Sequence, residues 1–158
     1  MAMVTIILSA PVAASRVRHA GEQHWHDDAY ANWLTDARMR AMIAWRGKAA
    51  MIGPVALAML SVLPRPKNRP KWAPADQWKA GVRIDVPVRP DVDNYMKAVL
   101  DGLQTKMQWS PLADDNCITV VMGRKLLAST TEQPCTIVGL GTPDDLADLA
   151  KLIGVKNG

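Results

Sequence analysis

The run Val-Ala-Leu-Ala-Met-Leu-Ser-Val-Leu at residues 55–63 constrains the fold more than any other feature of this chain. Gly53-Pro54 precedes it and Pro64 follows it, so it is punctuated at both ends. It does not alternate apolar with polar residues, as a strand with one wet face would. A short, continuously apolar, punctuated run reads as a strand in the middle of a sheet. The 158 residues suit one domain with a real core, and 49% of them are apolar, which makes the chain globular rather than disordered.

The remaining elements arrange themselves around that strand. Residues 4–9 (VTIILS) are β-branched and apolar, and Pro11 stops them, so they form an opening strand. Asp27 or Asp28 then caps a helix running to about Gly47, with Ala31, Leu34, Ala41 and Trp45 at helical spacing. A second helix is expected from about Asn94 to Met107. Its Met96, Val99, Leu100, Leu103 and Met107 share one apolar face. Strands follow at 117–127 and 134–140, and their connection at 128–132 suits a hairpin. Thr142-Pro143-Asp144-Asp145 opens a C-terminal helix, with Thr142 as N-cap and the aspartates at the positive end of the helix dipole. The expected order is β-α-β-loop-α-β-β-α. That is a single α/β domain over residues 1–158, with a mixed four-stranded sheet flanked by helices.

Two stretches are basic and irregular. Residues 11–26 carry Arg16, Arg18, His19, His24 and His26. Residues 64–88 carry Arg65, Lys67, Arg69, Lys71, Lys79 and Arg83 among five prolines and two tryptophans, Trp72 and Trp78. As plain surface, the second stretch is a solvated loop. As function, it is a mobile basic arm able to track phosphates and stack on unpaired bases. The net charge of +4 fits a polyanionic partner.

Against this basic background stands an acidic cluster. Arg89-Pro90-Asp91-Val92-Asp93-Asn94-Tyr95-Met96-Lys97 is followed by Asp114-Asp115. Asp91 and Asp93, two apart in an extended lead-in, are expected to point the same way, with Asp93 as the helix N-cap. Lys97 and Asp101 follow one and two turns along the helix. Asp114 and Asp115 return at the mouth of the next strand, so three carboxylates are expected to meet at one end of the sheet. Such a set suits Mg²⁺, a hard cation bound through carboxylates, waters and substrate phosphate oxygens. An ion so held activates water and stabilises charge on a phosphodiester, with Lys97 contacting the scissile phosphate or orienting the water. The plain reading of the same residues is a capped helix, i,i+4 surface pairs and a turn.

The pattern Asp91-x-Asp93-Asn94-x-x-Lys97, Asp101-x-Leu103, Trp109 and Asp114-Asp115 before a β-branched strand resembles the RusA family of Holliday junction resolvases. These are small nucleases common in phages and prophages. The motif covers about residues 89–120, and the order of elements around it matches over about 4–140. The resemblance implies a Mg²⁺-dependent homodimeric endonuclease (Mn²⁺ being a possible substitute) that resolves four-way DNA junctions by symmetric nicks. It places Asp91, Asp93 and Asp115 as catalytic metal ligands, Asp114 as their neighbouring acid, and Lys97 as the family's important lysine. Arg16, Arg18, Lys67, Arg69, Lys71 and Arg89 are the expected DNA contacts. A C₂ dimer suits a substrate with two-fold-related strands.

Some residues depart from the family pattern. The loop after the first strand keeps Pro11 and Ser15 of a usual Pro-Pro-Ser-x-Asn. Ser110-Pro111-Leu112-Ala113 lengthens the connection to the Asp-Asp pair, and Cys117 stands where glutamine is common. These changes bear on junction contacts rather than on the acids. The rival readings are a catalytically silent junction-binding module, a nuclease of other branched or flap DNA, and a structural phage protein.

Other signals are weaker. Cys117 and Cys135 lack zinc-site spacing and read as reduced, partly buried residues of a cytoplasmic protein. Residues 1–14 lack a basic n-region and so read as strand and loop rather than signal peptide. No apolar run reaches the length of a membrane span. His24-x-His26-Asp27-Asp28 reads as a helix lead-in, Trp25 and Trp33 as packing residues, and Met39, Met42 and Met51 as core filling or a dimer surface.

Overall fold

The middle strand is where the apolar run predicts it. In the computed structural model, β4 spans Val55–Leu63, and residues 55–60 are wholly buried. The structure describes residues 3–15, 18–20, 23–25, 27–105 and 108–155, with backbone alone at 18–20 and 23–25. Around β4 lie β1 (Val4–Leu8), β5 (Ile84–Asp85), β6 (Ile118–Leu127) and β7 (Cys135–Gly141), in the order β1-β7-β4-β6-β5. β4 is parallel to β6 and antiparallel to β7, and β7 is antiparallel to β1. A separate two-stranded ribbon is formed by β2 (Arg18–Ala20) and β3 (Gln23–Trp25).

The main sheet therefore has five strands, not the expected four, and the element order differs. β5 is two residues long, too short for alternation to reveal. The β2–β3 ribbon lies in what reads as a basic loop. The expected hairpin of the last two strands is also corrected: β4 lies between β6 and β7.

Alternation along β4 sorts the core into two layers. Val55, Leu57 and Met59 face α1 (Asp28–Trp45) and α3 (Val92–Leu103), packing with Trp33, Ala37, Ala41, Trp45, Val99 and Leu103. Ala56, Ala58, Leu60 and Val62 face the other way, against Leu149 and Ile153. There α4 (Leu146–Leu152) covers the sheet, led by a 3-10 turn whose capping box joins Thr142 and Asp145. Trp33 is a core residue, as expected, whereas Met39 is 57% exposed and does not fill the core.

α1 begins on Asp27, whose carboxylate accepts the N–H groups of Ala29 and Tyr30. The buried Tyr30 then donates its hydroxyl to Asp101 Oδ2 at 2.5 Å, tying α1 to α3. Burial and the Asp101 carboxylate together push the phenol far above its ordinary range. Removing that hydroxyl in Tyr30→Phe is expected to lower stability by about 1–3 kcal/mol, measured by denaturant unfolding. An unchanged unfolding midpoint would show that the tie contributes nothing.

The β6–β7 connection is clipped to residue 83 by Arg83 and Glu132, 2.7 Å apart. Arg83 holds the Glu132 carboxyl below its ordinary value of 4.5. A depressed carboxyl stabilises the fold above the unfolded value. That contribution is lost as pH falls below about 4.5 and through the folded value. Both side chains are partly wet, so the contribution is small. Glu132→Gln is expected to flatten this part of the acid limb in pH-dependent melting, and an identical limb would remove the clip from the account.

Candidate active site

α3 starts on Asp91, which has extended backbone angles (φ −70°, ψ 154°) and occupies the N-cap position. Asp93, expected there, lies instead within the first turn, so the two aspartates flank a helix start rather than sharing an extended segment. An N-cap aspartate ordinarily accepts one of the free N–H groups of the first turn. Asp91 accepts none. Both carboxylates are exposed, and among the described residues neither enters an ion pair or a side-chain hydrogen bond. Lys97, one turn along, is exposed and pairs with neither Asp93 nor Asp101. Asp101 is instead engaged by Tyr30.

Three contacts hold this helix start. Val92 and Met96 lie over Gly123 of β6, where an added Cβ would stand 3.1 Å and 3.3 Å from them. Ala14 N–H donates to Asn94 O at 3.0 Å, laying the loop after β1 against the first turn. Lys125 Nζ donates to Val88 O and Pro90 O at 2.5 and 2.6 Å, holding the strap that leads into Asp91. Beside the helix an apolar groove of about 260 Å³ runs between Val92, Met96, Leu100, Val121 and Gly123, with Asp93 and Lys97 on its rim.

Asp114 and Asp115 lie elsewhere in the chain's own fold. Asp114 accepts Asn116 N–H at 3.1 Å and caps a 3-10 turn at Asp115–Cys117. That hydrogen bond holds its carboxyl below the usual range. The turn is anchored on Met51, whose N–H and C=O bond Pro111 and Ala113, and Leu112 beyond it is buried. Ser110 Oγ accepts Thr105 N–H and lies 2.7 Å from Leu112 O, so the lengthened connection is a packed structural segment. Cys117 brings its thiol to Asp114 O, fixing the same turn from the position where the family often has glutamine.

α3 runs back along β6, and this decides the geometry. Its N-terminus lies at Gly123–Lys125, whereas Asp114–Asp115 enters at the start of β6, before Ile118. Five strand residues separate the two levels, about 17 Å. Accordingly, among the described residues no three His, Cys, Asp or Glu side chains are grouped to hold one metal ion. The expected meeting of three carboxylates does not occur within one chain. The acids form two groups, one at each end of α3.

The basic stretch at 64–88 is also corrected. It is not a free arm. α2 (Ala75–Ala80) and β5 fold it onto a satellite core of Ala73, Ile84, Val86 and Leu127, with Trp72 and Trp78 packed against it. Arg65 stacks on Trp78 at 4.1 Å and donates to three carbonyls, of Val82, Ala128 and Trp78. Arg124 and Arg83 are likewise committed, to Asp85 and Glu132. Arg69 is exposed but gives one donor to Ala73 O. Lys67, Lys71 and Arg89 are exposed and make no ion pair among the described residues. Arg16 and His26 lie outside the described residues, as do the side chains of Arg18, His19, His24 and Trp25. Lys125, which reaches the strap from a strand distant in sequence, carries no local signal that singles it out.

A family model described as Endodeoxyribonuclease RusA matches residues 9–137. A search of curated proteins finds no match. The family match spans most of the chain and contains both acidic groups, so the chain belongs to the RusA family of endodeoxyribonucleases, hydrolases of DNA phosphodiester bonds.

The two kinds of basic residue separate experimentally. Arg65→Ala is expected to lower the melting temperature by several degrees through loss of its carbonyl bonds and its stacking. Lys67→Ala with Lys71→Ala is expected to leave melting unchanged, weaken branched-DNA binding and reduce the salt slope by about 1–2. A melting loss in the lysine variant with an unchanged slope would reverse these roles.

Proposed function

We propose that this RusA-family chain is a divalent-cation-dependent nuclease that resolves four-way DNA junctions by paired nicks, working as a homodimer. The observation that carries the reading is the pair of carboxylates, Asp91 and Asp93, at a helix start that neither of them caps. Exposed carboxylate oxygens with no protein partner are the donor set that Mg²⁺ or Mn²⁺ takes, commonly one or two carboxylates with waters and substrate phosphate completing the shell. A cation bound there supplies charge against the reacting phosphate and acidifies water. Lys97, one turn up the same helix, donates to a phosphate oxygen and fixes the backbone beside the acids. Lys67, Lys71 and Arg89, with Arg16 and Arg18, hold the junction strands electrostatically, and Arg69 adds the donors not given to Ala73.

Two features favour a homodimer. β5 pairs with β6 only at Leu126 and Leu127, so residues 118–124 of β6 have an edge with no strand beside it among the described residues. The apolar groove and the 53%-exposed Val121 flank that edge. Two copies pairing β6 antiparallel about Val121 would cover both, as exposed sheet edges tend to require. The same two-fold turns the strand end for end. It would carry the partner's Asp115 from the far end of α3 towards Asp91 and Asp93, completing an acidic set that the described residues of one chain do not assemble.

Mixing variants tests catalysis and assembly together. Asp93→Asn and Asp115→Asn are each expected to lower metal-dependent junction cleavage by about 10–100-fold or more. Co-refolded, they form mixed dimers in which one composite site carries both changes and the other carries neither. That predicts recovery of single-strand nicking on a synthetic four-way junction, without recovery of paired nicks. Cleavage by either variant at the parent rate would refute the site. Two dead variants with no recovery in proven mixed dimers would show each site built within one chain.

A further inference from the structure

Among the described residues, Lys125 is the one cation that reaches the backbone immediately ahead of the acidic helix start. Its backbone carbonyl accepts Val86 N–H at 3.3 Å, at the point where the chain leaves the sheet after β5. From there residues 86–91 cross to α3 without further strand pairing. Lys125 Nζ spans this crossing, with Val88 O at 2.5 Å and Pro90 O at 2.6 Å. Pro90 is the residue before Asp91. Lys125 falls two positions beyond Gly123 on the same face of β6, and Gly123 is where Val92 packs.

We propose that Lys125 is a positioning residue for the acidic pair: by clamping the Val88 and Pro90 carbonyls it sets the direction in which Asp91 and Asp93 present their oxygens. The inference rests on the reading of those aspartates as cation ligands. Its physical basis is that Asp91 does not cap its own helix. A side chain that bonds no helix N–H takes its orientation from the backbone entering it. That backbone is held by one ammonium ahead of Asp91, and behind it by the Val92–Gly123 contact and the Ala14 N–H bond to Asn94 O. Groups that orient ligands from behind typically change metal affinity or activity by about 10–100-fold when removed. An ammonium is suited to this place because it gives several donors from one point and accepts nothing. Its charge also opposes the repulsion between neighbouring carboxylates.

The rival role for a half-buried lysine is direct contact with a DNA phosphate, which the two readouts distinguish. Mn²⁺ binding to the DNA-free protein, followed by electron paramagnetic resonance, and junction binding in EDTA are compared for the parent, Lys125→Met, Lys125→Arg and Asp93→Asn. Lys125→Met is expected to weaken Mn²⁺ binding and slow cleavage by about 10–100-fold, while its junction affinity in EDTA stays within about twofold of the parent. Lys125→Arg, which keeps the donors, should recover most of both. Parent-like Mn²⁺ binding in Lys125→Met, with loss in Asp93→Asn, overturns the role of Lys125 and leaves the acidic site standing. Parent-like Mn²⁺ binding in Asp93→Asn removes the site reading, and this inference with it. Weakened junction binding in EDTA with unchanged Mn²⁺ binding makes Lys125 a phosphate contact and also overturns the proposal. Should Lys125→Met not fold, Lys125→Gln is judged by the same two readouts, and parent-like behaviour in both defeats the clamp.

Discussion

Burial of β4 on both faces, from Val55 to Val62, is the constraint on which the rest of this fold depends. A strand with no wet face requires a packed layer above and below, and a paired neighbour on each edge. α1 and α3 supply one layer and α4 the other, while β6 and β7 take the edges. Both acidic groups lie at the ends of segments fixed by this arrangement. α3 is seated on β6 through Gly123, and the Asp114–Asp115 turn hangs from Met51, which bridges to Leu112 just before β4 begins.

What the sequence makes legible is whatever depends on local chemistry. β4 shows itself by its unbroken apolar run, α1 by its Asp27 cap, and α4 by Thr142, Pro143 and the aspartates behind them. The acids and Lys97 stand out because charge of one sign is concentrated in a chain of the other. What stays hidden is set by contacts distant in the chain. Nothing near 117–140 says that β4 enters between β6 and β7. Two residues of β5 are too few for alternation to register. Arg65 reads as a loop cation like Lys67 until its three carbonyl partners, the most distant 63 residues away, are in place. The direction of α3 along β6 is of the same kind. The acidic positions are visible in the sequence, but their separation into two groups depends on tertiary packing.

That separation changes how the departures from the family pattern read. Ser110-Pro111-Leu112-Ala113 lengthens the path from α3 to the Asp114–Asp115 turn, yet it is absorbed by a buried Leu112 and the hydrogen bonds around Ser110. Cys117 bonds the backbone of the same turn. These two departures therefore fall in the anchoring of one acidic group, whereas the altered loop after β1 lies against the other through Ala14 and Asn94.

The unused cap at Asp91 has a consequence for how the molecule moves. A helix that makes no cap of its own is held at its start by outside contacts, here Lys125, Gly123 and Ala14. Helix ends fray most easily where such support is thin. Opening the first turn of α3 would release the 88–90 strap and the loop after β1 together, while Val99 and Leu103 stay buried in the core. The acidic end of the helix thus depends on contacts from three other segments of the chain, while the rest of α3 is held by the core.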